Sequence, residues 1–330
     1  MTYKNKVMLL SILITFLAII YVLSFVFDPG GSREKTFAWL NSEHLLLADG
    51  IEISGAGGLT TLKRINNVWV FSGASGDLPV KQDKVNDLFA LLTKKNVYSI
   101  SSANHEAMEK LGLLDENASR ITIRGGAGLP LLDLIIGVSD ALGREIYLGI
   151  AGRSEICLAE DGYSYFTEAK PSSWYDLRLL SNVLPQGSAP LTTSMVQQVE
   201  VTAGEKANVL RRGGRGWLIP GNESLQLDAG RIEAWLRLVL EAEGEDFDFA
   251  AGEVQAMETL METLMDGSIT LYLGDGSSRT IQIWESIENE NTYKCVVSGS
   301  PLIYILSDRT EKIFFSLDAI INDAIINDSP

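Results

Sequence analysis

Acid–base and nucleophilic chemistry near neutral pH commonly recruits an imidazole, and the 330 residues hold only two, His44 and His105. Neither lies in a nucleophile setting, and His105, which follows Asn104 at the start of a helical segment, reads as an exposed residue of a helix cap. The two thiols, Cys157 in EICLAE and Cys295 in YKCVVS, sit in apolar strand-like runs without a CxxC partner. They read as buried free cysteines rather than a metal or redox pair. The glycine clusters at Gly55–Gly58 and Gly125–Gly128 lack the Lys-Ser/Thr ending and following helix of a phosphate loop, and lie between strand patterns. Hairpin turns are the expectation there.

Carboxylates concentrate between Glu241 and Asp266, including Glu243, Glu245, Asp246 and Asp248, but their spacing is not that of a calcium loop. A solvated acidic connection is expected. Of the six tryptophans, Trp69 and Trp217 recur at equivalent places and read as core, whereas Trp174 and Trp284 are candidates for exposed anchors at a partner interface. Trp174, Trp284, Asp246 and Asp248 are therefore the candidate partner-binding residues. No catalytic, cofactor-binding or metal-ligating set is expected.

Lys and Arg number 27 against 43 Asp and Glu, a net charge of −16, which argues against a nucleic-acid partner. An acidic body is also pushed away from anionic lipid headgroups. One segment overrides that repulsion. Val7–Phe27 is a charge-free run, VMLLSILITFLAIIYVLSFVF, whose 21 residues would span about 31 Å as a helix. It is too long for the apolar part of a secretory leader and lacks a small-residue cleavage site. Lys4 and Lys6 before it, and an acidic body beyond, favour a cytoplasmic tail at residues 1–6 and an extracytoplasmic body. Residues 28–43 then form a stalk and lead-in, with Asp28–Lys35 rich in Gly, Pro and Ser.

The body repeats itself. Ile51-Glu52-Ile53 aligns with Val199-Glu200-Val201, and Leu62-Lys63-Arg64 with Leu210-Arg211-Arg212, both at an offset of 148, each followed by a tryptophan, Trp69 and Trp217. Val85, Leu88, Leu91 and Leu92 meet Ile232, Trp235, Leu238 and Val239, and Ile121-Thr122-Ile123 meets Ile269-Thr270-Leu271. Two copies follow, residues 44–185 and 186–330, joined by a Pro- and Gly-containing linker. Within copy one, strands are expected at Gly50–Ser54, Thr60–Ile65 and Val68–Phe71, a helix at Asp83–Lys95 and a short helix near Glu106–Leu111. An antiparallel meander follows at Arg120–Arg124, Leu131–Ile136, Arg144–Leu148 and Glu155–Ala159. The fold class is α+β, two tandem repeats, each a mostly antiparallel sheet packed with helices, behind one N-terminal transmembrane helix.

Trp69 and Trp217, the Glu109-Lys110-Leu111-Gly112-Leu113 segment, the Ile135-Ile136-Gly137 strand end and the closing Tyr175-Asp176-Leu177-Arg178 resemble the bacterial family catalogued as domain of unknown function 4340. Copy two departs from it, with Met261-Glu262 in place of Gly-Leu and Trp284 where copy one has Gly137. The resemblance implies a membrane-anchored accessory protein encoded beside ABC-transporter components of the gliding-motility type, with no catalytic residues to carry over. The sequence thus points to a non-enzymatic, membrane-tethered subunit whose partners are the lipid bilayer, through residues 7–27, and the proteins of a transporter-linked envelope complex. A ligand-binding module holding a polysaccharide or peptide between the copies is the alternative. A third reading, an envelope hydrolase, would need two convergent carboxylates at an acid–base separation.

Overall fold

The computed structural model describes residues 14–17, 33–73, 76–102, 104–114, 118–181, 190–214, 216–248, 266–286 and 292–324. The strands are β1 (Arg33–Phe37), β2 (Ala48–Gly55), β3 (Gly58–Ile65), β4 (Val68–Gly73) and β5 (Gly76–Pro79). They continue with β6 (Asn96–Ser102), β7 (Ser119–Gly125), β8 (Leu129–Ser139), β9 (Glu145–Ile150) and β10 (Glu155–Glu160). Next come β11 (Val196–Ala203), β12 (Lys206–Gly213), β13 (Gly216–Leu218), β14 (Asp246–Phe247), β15 (Gly267–Leu273), β16 (Ser278–Glu285), β17 (Thr292–Val297) and β18 (Ile303–Ser307). The helices are α1 (Ser42–Leu47), α2 (Gln82–Thr93), α3 (His105–Lys110), α4 (Ala229–Leu240), α5 (Asp308–Phe315) and α6 (Leu317–Ala324). Two antiparallel sheets with helices make this an α+β chain.

Contacts group the residues into two compact units, Met1–Arg64 with Val85–Lys170, and Ile65–Lys84 with Pro171–Pro330. In the first unit the strands run β1-β6-β10-β9-β8-β7-β2-β3. In the second the order is β13-β12-β11-β15-β16-β17-β18-β14, and the β4–β5 hairpin belongs to the same unit. Registers correspond as well as orders. Ile51 faces Leu62 and Ile123, while Val199 faces Leu210 and Leu271. Both ladders carry an irregularity at the start of the equivalent strand, between Ala48 and Gly50 and between Val196 and Gln198.

Alternation explains which face is dry. Ile51, Ile53, Ile121 and Ile123 are buried in the first unit, as are Val199, Val201, Ile269 and Leu271 in the second, their sequence neighbours pointing the other way. Helix α2 buries Val85, Leu88, Phe89 and Leu92, and α4 buries Ile232, Trp235, Leu236 and Val239, the one-sided spacing of a helix on a sheet. Asp228 caps α4 by accepting from the Gly230 and Arg231 amides at 2.9 and 3.4 Å. Leu238, expected on the buried stripe, is exposed, and Leu236 takes the inward place.

The first unit packs its other sheet face too. Met108 of α3 and Leu113 form a small second core with Ile135 and Ile156. Asn104 caps α3, accepting from the Ala107 amide at 2.9 Å, and His105 is exposed, as the sequence indicates. Gly112, at φ 69°, closes the helix in the left-handed conformation, with the Leu113 amide donating to the Met108 carbonyl at 2.9 Å. The Leu111 carbonyl then accepts from the Val138 amide at 3.0 Å, which brings it against Gly137.

Several expectations are corrected. The flexible stalk expected over Asp28–Lys35 does not reach Lys35, because Arg33–Phe37 is β1, paired with β6. Strand β6 itself, Asn96–Ser102, fills a Ser-rich stretch that carries no clear apolar period. The acidic connection is not wholly solvated, since Asp246–Phe247 is β14, paired with Tyr304 and Ile305 of β18. The glycine clusters are hairpin turns, and both cysteines are buried and free, as expected. The expected spanning segment Val7–Phe27 lies outside the described residues except for 14–17, which are helical. Among the described residues no helix is long and apolar enough to cross a membrane.

Candidate functional site

The densest set of buried charge lies in the second unit, where the segment after the turn Pro171–Ser173 runs back along the chain that follows β5. Lys81 donates its amide to the Trp174 carbonyl and Asp176 its amide to the Pro79 carbonyl, both at 2.9 Å. Trp174 is fully buried, and the Lys84 ammonium, also buried, lies 4.3 Å from its ring centroid and donates to the Ser173 carbonyl at 3.3 Å. A desolvated cation needs such a π face and carbonyl to offset lost hydration. Asp176 is buried beside them and grips Arg178 with both oxygens, Nε to Oδ1 at 2.8 Å and Nη2 to Oδ2 at 2.6 Å. That fork holds the guanidinium above its ordinary pKa, chiefly through the hydrogen bond it donates to Asp176.

The segment continues as a cover for the sheet edge. Leu179 donates its amide to the Ala242 carbonyl at 3.1 Å, and Gly244 donates to the Leu177 carbonyl at 2.9 Å. The same stretch then joins β18, with Glu245 donating to Ile305 at 2.8 Å and Asp248 to Ile303 at 2.9 Å. Tyr175, Phe247 and Tyr304 stack in sequence with ring centroids 5.3 and 5.1 Å apart. Burial, and secondarily the Asp246 charge, push the Tyr175 phenol up to about 12, so it stays protonated. Asp248 forms an ion pair with Lys294 at 2.7 Å, both side chains largely buried. Lys294 is the register partner of Trp284.

The sequence-nominated residues therefore gather in the second unit, Asp246 and Asp248 on and beside the edge strand and Trp284 across the ladder from Lys294. Their expected exposure is corrected. Trp174 and Trp284 are buried, because one covers Lys84 and the other fills the side of β16 opposite Ile283. The sequence reading missed Lys84 and Lys294. Lys84 stands four residues before Leu88 on the apolar stripe of α2, and a charged residue on that period is the signal that marks it; Lys294 alternates with buried Cys295 and carries no such signal.

Other polar clusters are equally closed. In the first unit the Trp39 indole donates to the Tyr163 hydroxyl at 2.8 Å, and Tyr98 and Tyr163 share a hydrogen bond of 2.9 Å, with burial raising the Tyr163 pKa. In the second, Arg212 binds Glu233 at 2.8 Å and lies 4.6 Å from the Trp217 ring centroid. Glu233 is held below the usual carboxylate range by the Thr193 hydroxyl first and then Arg212. Open space exists in each unit. A groove of about 440 Å³ in the second is lined by Gln198, Asn208, Arg211, Ile219 and Pro220, and one of about 400 Å³ in the first by Trp39, Pro130, Leu131, Asp133 and Arg153. Among the described residues no group of three or more His, Cys, Asp or Glu is placed to hold a metal ion.

A family model described as a domain of unknown function (DUF4340) matches residues 69–261, more than half of the chain. No curated protein and no solved structure matches it.

Proposed function

The chain belongs to the DUF4340 family, and from that premise we propose that it is a non-catalytic, membrane-anchored accessory protein. Its apolar segment 7–27 tethers an extracytoplasmic body built from a duplicated α+β unit, and the body docks subunits of an ABC-transporter-linked envelope complex. The observation that carries this reading is the closure of the buried charge. Asp176 is engaged by the Arg178 fork and Lys84 by Trp174 and the Ser173 carbonyl, an arrangement that fixes backbone rather than presenting a reactive group to substrate. The matching strand orders and ladder irregularities support the duplication. The charge-free 21 residues support the anchor.

Purification of the full chain from its native membrane in mild detergent, with crosslinking beforehand, tests the partnership: permease and ATPase subunits are expected to accompany it, and recovery of the chain alone after crosslinking would refute it. A phosphatase fused after Pro330 tests topology, because activity is expected only with the body outside the cytoplasm. The groove bearing Arg211, Gln198 and Asn208 beside Ile219 and Pro220 favours a second reading, a ligand-binding module for a peptide or polysaccharide. Arg211→Ala would abolish ligand retention under that reading and leave subunit capture intact.

A further inference from the structure

Helix α1 is short and unusual, because none of its residues is buried although it carries Leu45, Leu46 and Leu47. Leu46 is 80% exposed, the highest value among the large apolar side chains described, and Leu47 is 58% exposed. They are not isolated. Leu47 leads directly into β2, whose Ala48 pairs with Gly125, and Gly125 pairs in turn with Leu129, which is 65% exposed. The Gly125 Cβ position lies 3.2 Å from both the Leu47 carbonyl and the Leu131 side chain, so the leucines of α1 and the start of β8 share one lip of the first unit. Water gains nothing from such a lip, and clustered exposed leucines mark a surface that another phase or partner covers.

The chain itself indicates what covers it. Between the apolar segment ending at Phe27 and the first residue of β1, Arg33, only residues 28–32 intervene, a reach of about 18 Å at full extension. The first unit is thereby held against the bilayer. The net charge of −16 opposes adsorption of the body as a whole, so contact requires a local apolar feature on the tethered unit. The lip is that feature. Glu43 and Asp49 flank it, and the exposed Arg153 shares a groove with Pro130 and Leu131.

We propose that Leu46, Leu47 and Leu129 insert into the lipid interface beside the anchor and fix the orientation of the first unit on the membrane. This inference rests on the anchor reading and adds to it a second point of attachment. The geometry supplies an internal control. Leu142, 68% exposed, lies just beyond the far end of the 11-residue strand β8 that Leu129 begins, roughly 33 Å away.

The test uses the full chain in vesicles of phosphatidylethanolamine and phosphatidylglycerol, with an environment-sensitive fluorophore on Leu46→Cys, Leu129→Cys or Leu142→Cys. Cys157 and Cys295 are buried, and the unsubstituted chain checks that they stay unlabelled. Nitroxide-bearing lipids are expected to quench the probes at 46 and 129 at least about twofold more than at 142, since interfacial side chains sit in the headgroup–acyl boundary. Equal quenching at all three sites, or none, in a protein that still floats with the vesicles after alkaline washing would overturn the lip and leave the anchor standing. A blue shift at 46 and 129 without lipid quenching would assign the lip to a protein partner and also overturn it. Failure to float after washing would remove the anchor and the inference together.

Discussion

Gly137→Ala isolates the contact that locks α3 onto the first sheet. A Cβ at Gly137 would stand closer to the Leu111 carbonyl oxygen than the 3.0 Å that real Cβ atoms keep, with Leu113 Cδ2 at 3.0 Å on the other side. The carbonyl cannot withdraw freely, because it accepts the Val138 amide at 3.0 Å and follows the left-handed Gly112 closure. Relief therefore costs overpacking strain of about 1–3 kcal/mol together with about 1 kcal/mol for the weakened hydrogen bond, roughly 2–4 kcal/mol in all. Gly126→Ala is the matched control, since nothing lies within 4 Å of its Cβ position and the change should stay within about 0.5 kcal/mol. Urea unfolding of the full chain in detergent, combined with peptide-resolved hydrogen exchange, reads the effect. Loss of protection should concentrate at 105–113 and 135–150 and spare β11–β18. Indistinguishable midpoints for the two alanine variants would refute the reasoning. The equivalent place in the second unit carries Trp284, which is buried, so truncation rather than enlargement is costly there.

Trp284→Ala should destabilise the second unit by about 3–5 kcal/mol in the same unfolding assay, a loss of packing that leaves exchange in the first unit unchanged. Lys294→Met leaves Asp248 largely buried without that 2.7 Å ion pair and should cost about 3 kcal/mol, whereas the double variant with Asp248→Leu recovers most of it; an additive double would show that the pair is not coupled. Burial pushes the Cys157 thiol up to about 11 and raises Cys295 as well, so both should resist iodoacetamide at pH 8 in the folded chain and react fully in denaturant. Glu311 has its pKa raised above the ordinary 4.5 by burial and then by Asp308. A raised folded pKa means stability present at low pH and lost as pH rises through that value, so Glu311→Gln should be the more stable chain at pH 7 and lose that advantage in acid; a gain that persists in acid would contradict this.

Most of the first sheet is legible in the sequence because β2, β3 and β7–β10 alternate apolar and polar residues between glycine turns, and because residues 196–307 show a matching pattern. Strand β6 is not. Its Ser99, Ser101 and Ser102 break the apolar period, and only pairing on both sides, with β1 and β10, makes it a strand. Strand β1, REKTF, reads as stalk for a similar reason: four of its five positions are exposed, and a charged edge strand has no apolar stripe to betray it. Of the candidate interface residues, Trp174 and Trp284 are buried where exposure was expected. A tryptophan or aspartate in sequence carries no sign of whether a lysine waits behind it, and Lys84 and Lys294 are the residues that turn Trp174 and Asp248 inward.

The edges of the two sheets extend the correspondence between the two units. In the first unit β1 lies outside β6, and β6 lies beside β10. In the second, the stretch at Leu177–Leu179 lies outside Ala242–Gly244, whose continuation β14 lies beside β18. If the unit is duplicated, each copy begins with a segment that covers its own sheet edge, strand Arg33–Phe37 in one and the extended stretch Leu177–Leu179 in the other, rather than at residues 44 and 186. The closing Trp174-Tyr175-Asp176-Leu177-Arg178 then has a physical role, since its buried Trp174 and the Asp176–Arg178 fork hold that covering stretch of the second unit in place. An exposed edge invites pairing with other chains, and this cover blunts it. Loosening the fork should therefore appear first as exchange at Ala242–Gly244 and as self-association, before any loss of the α4 core.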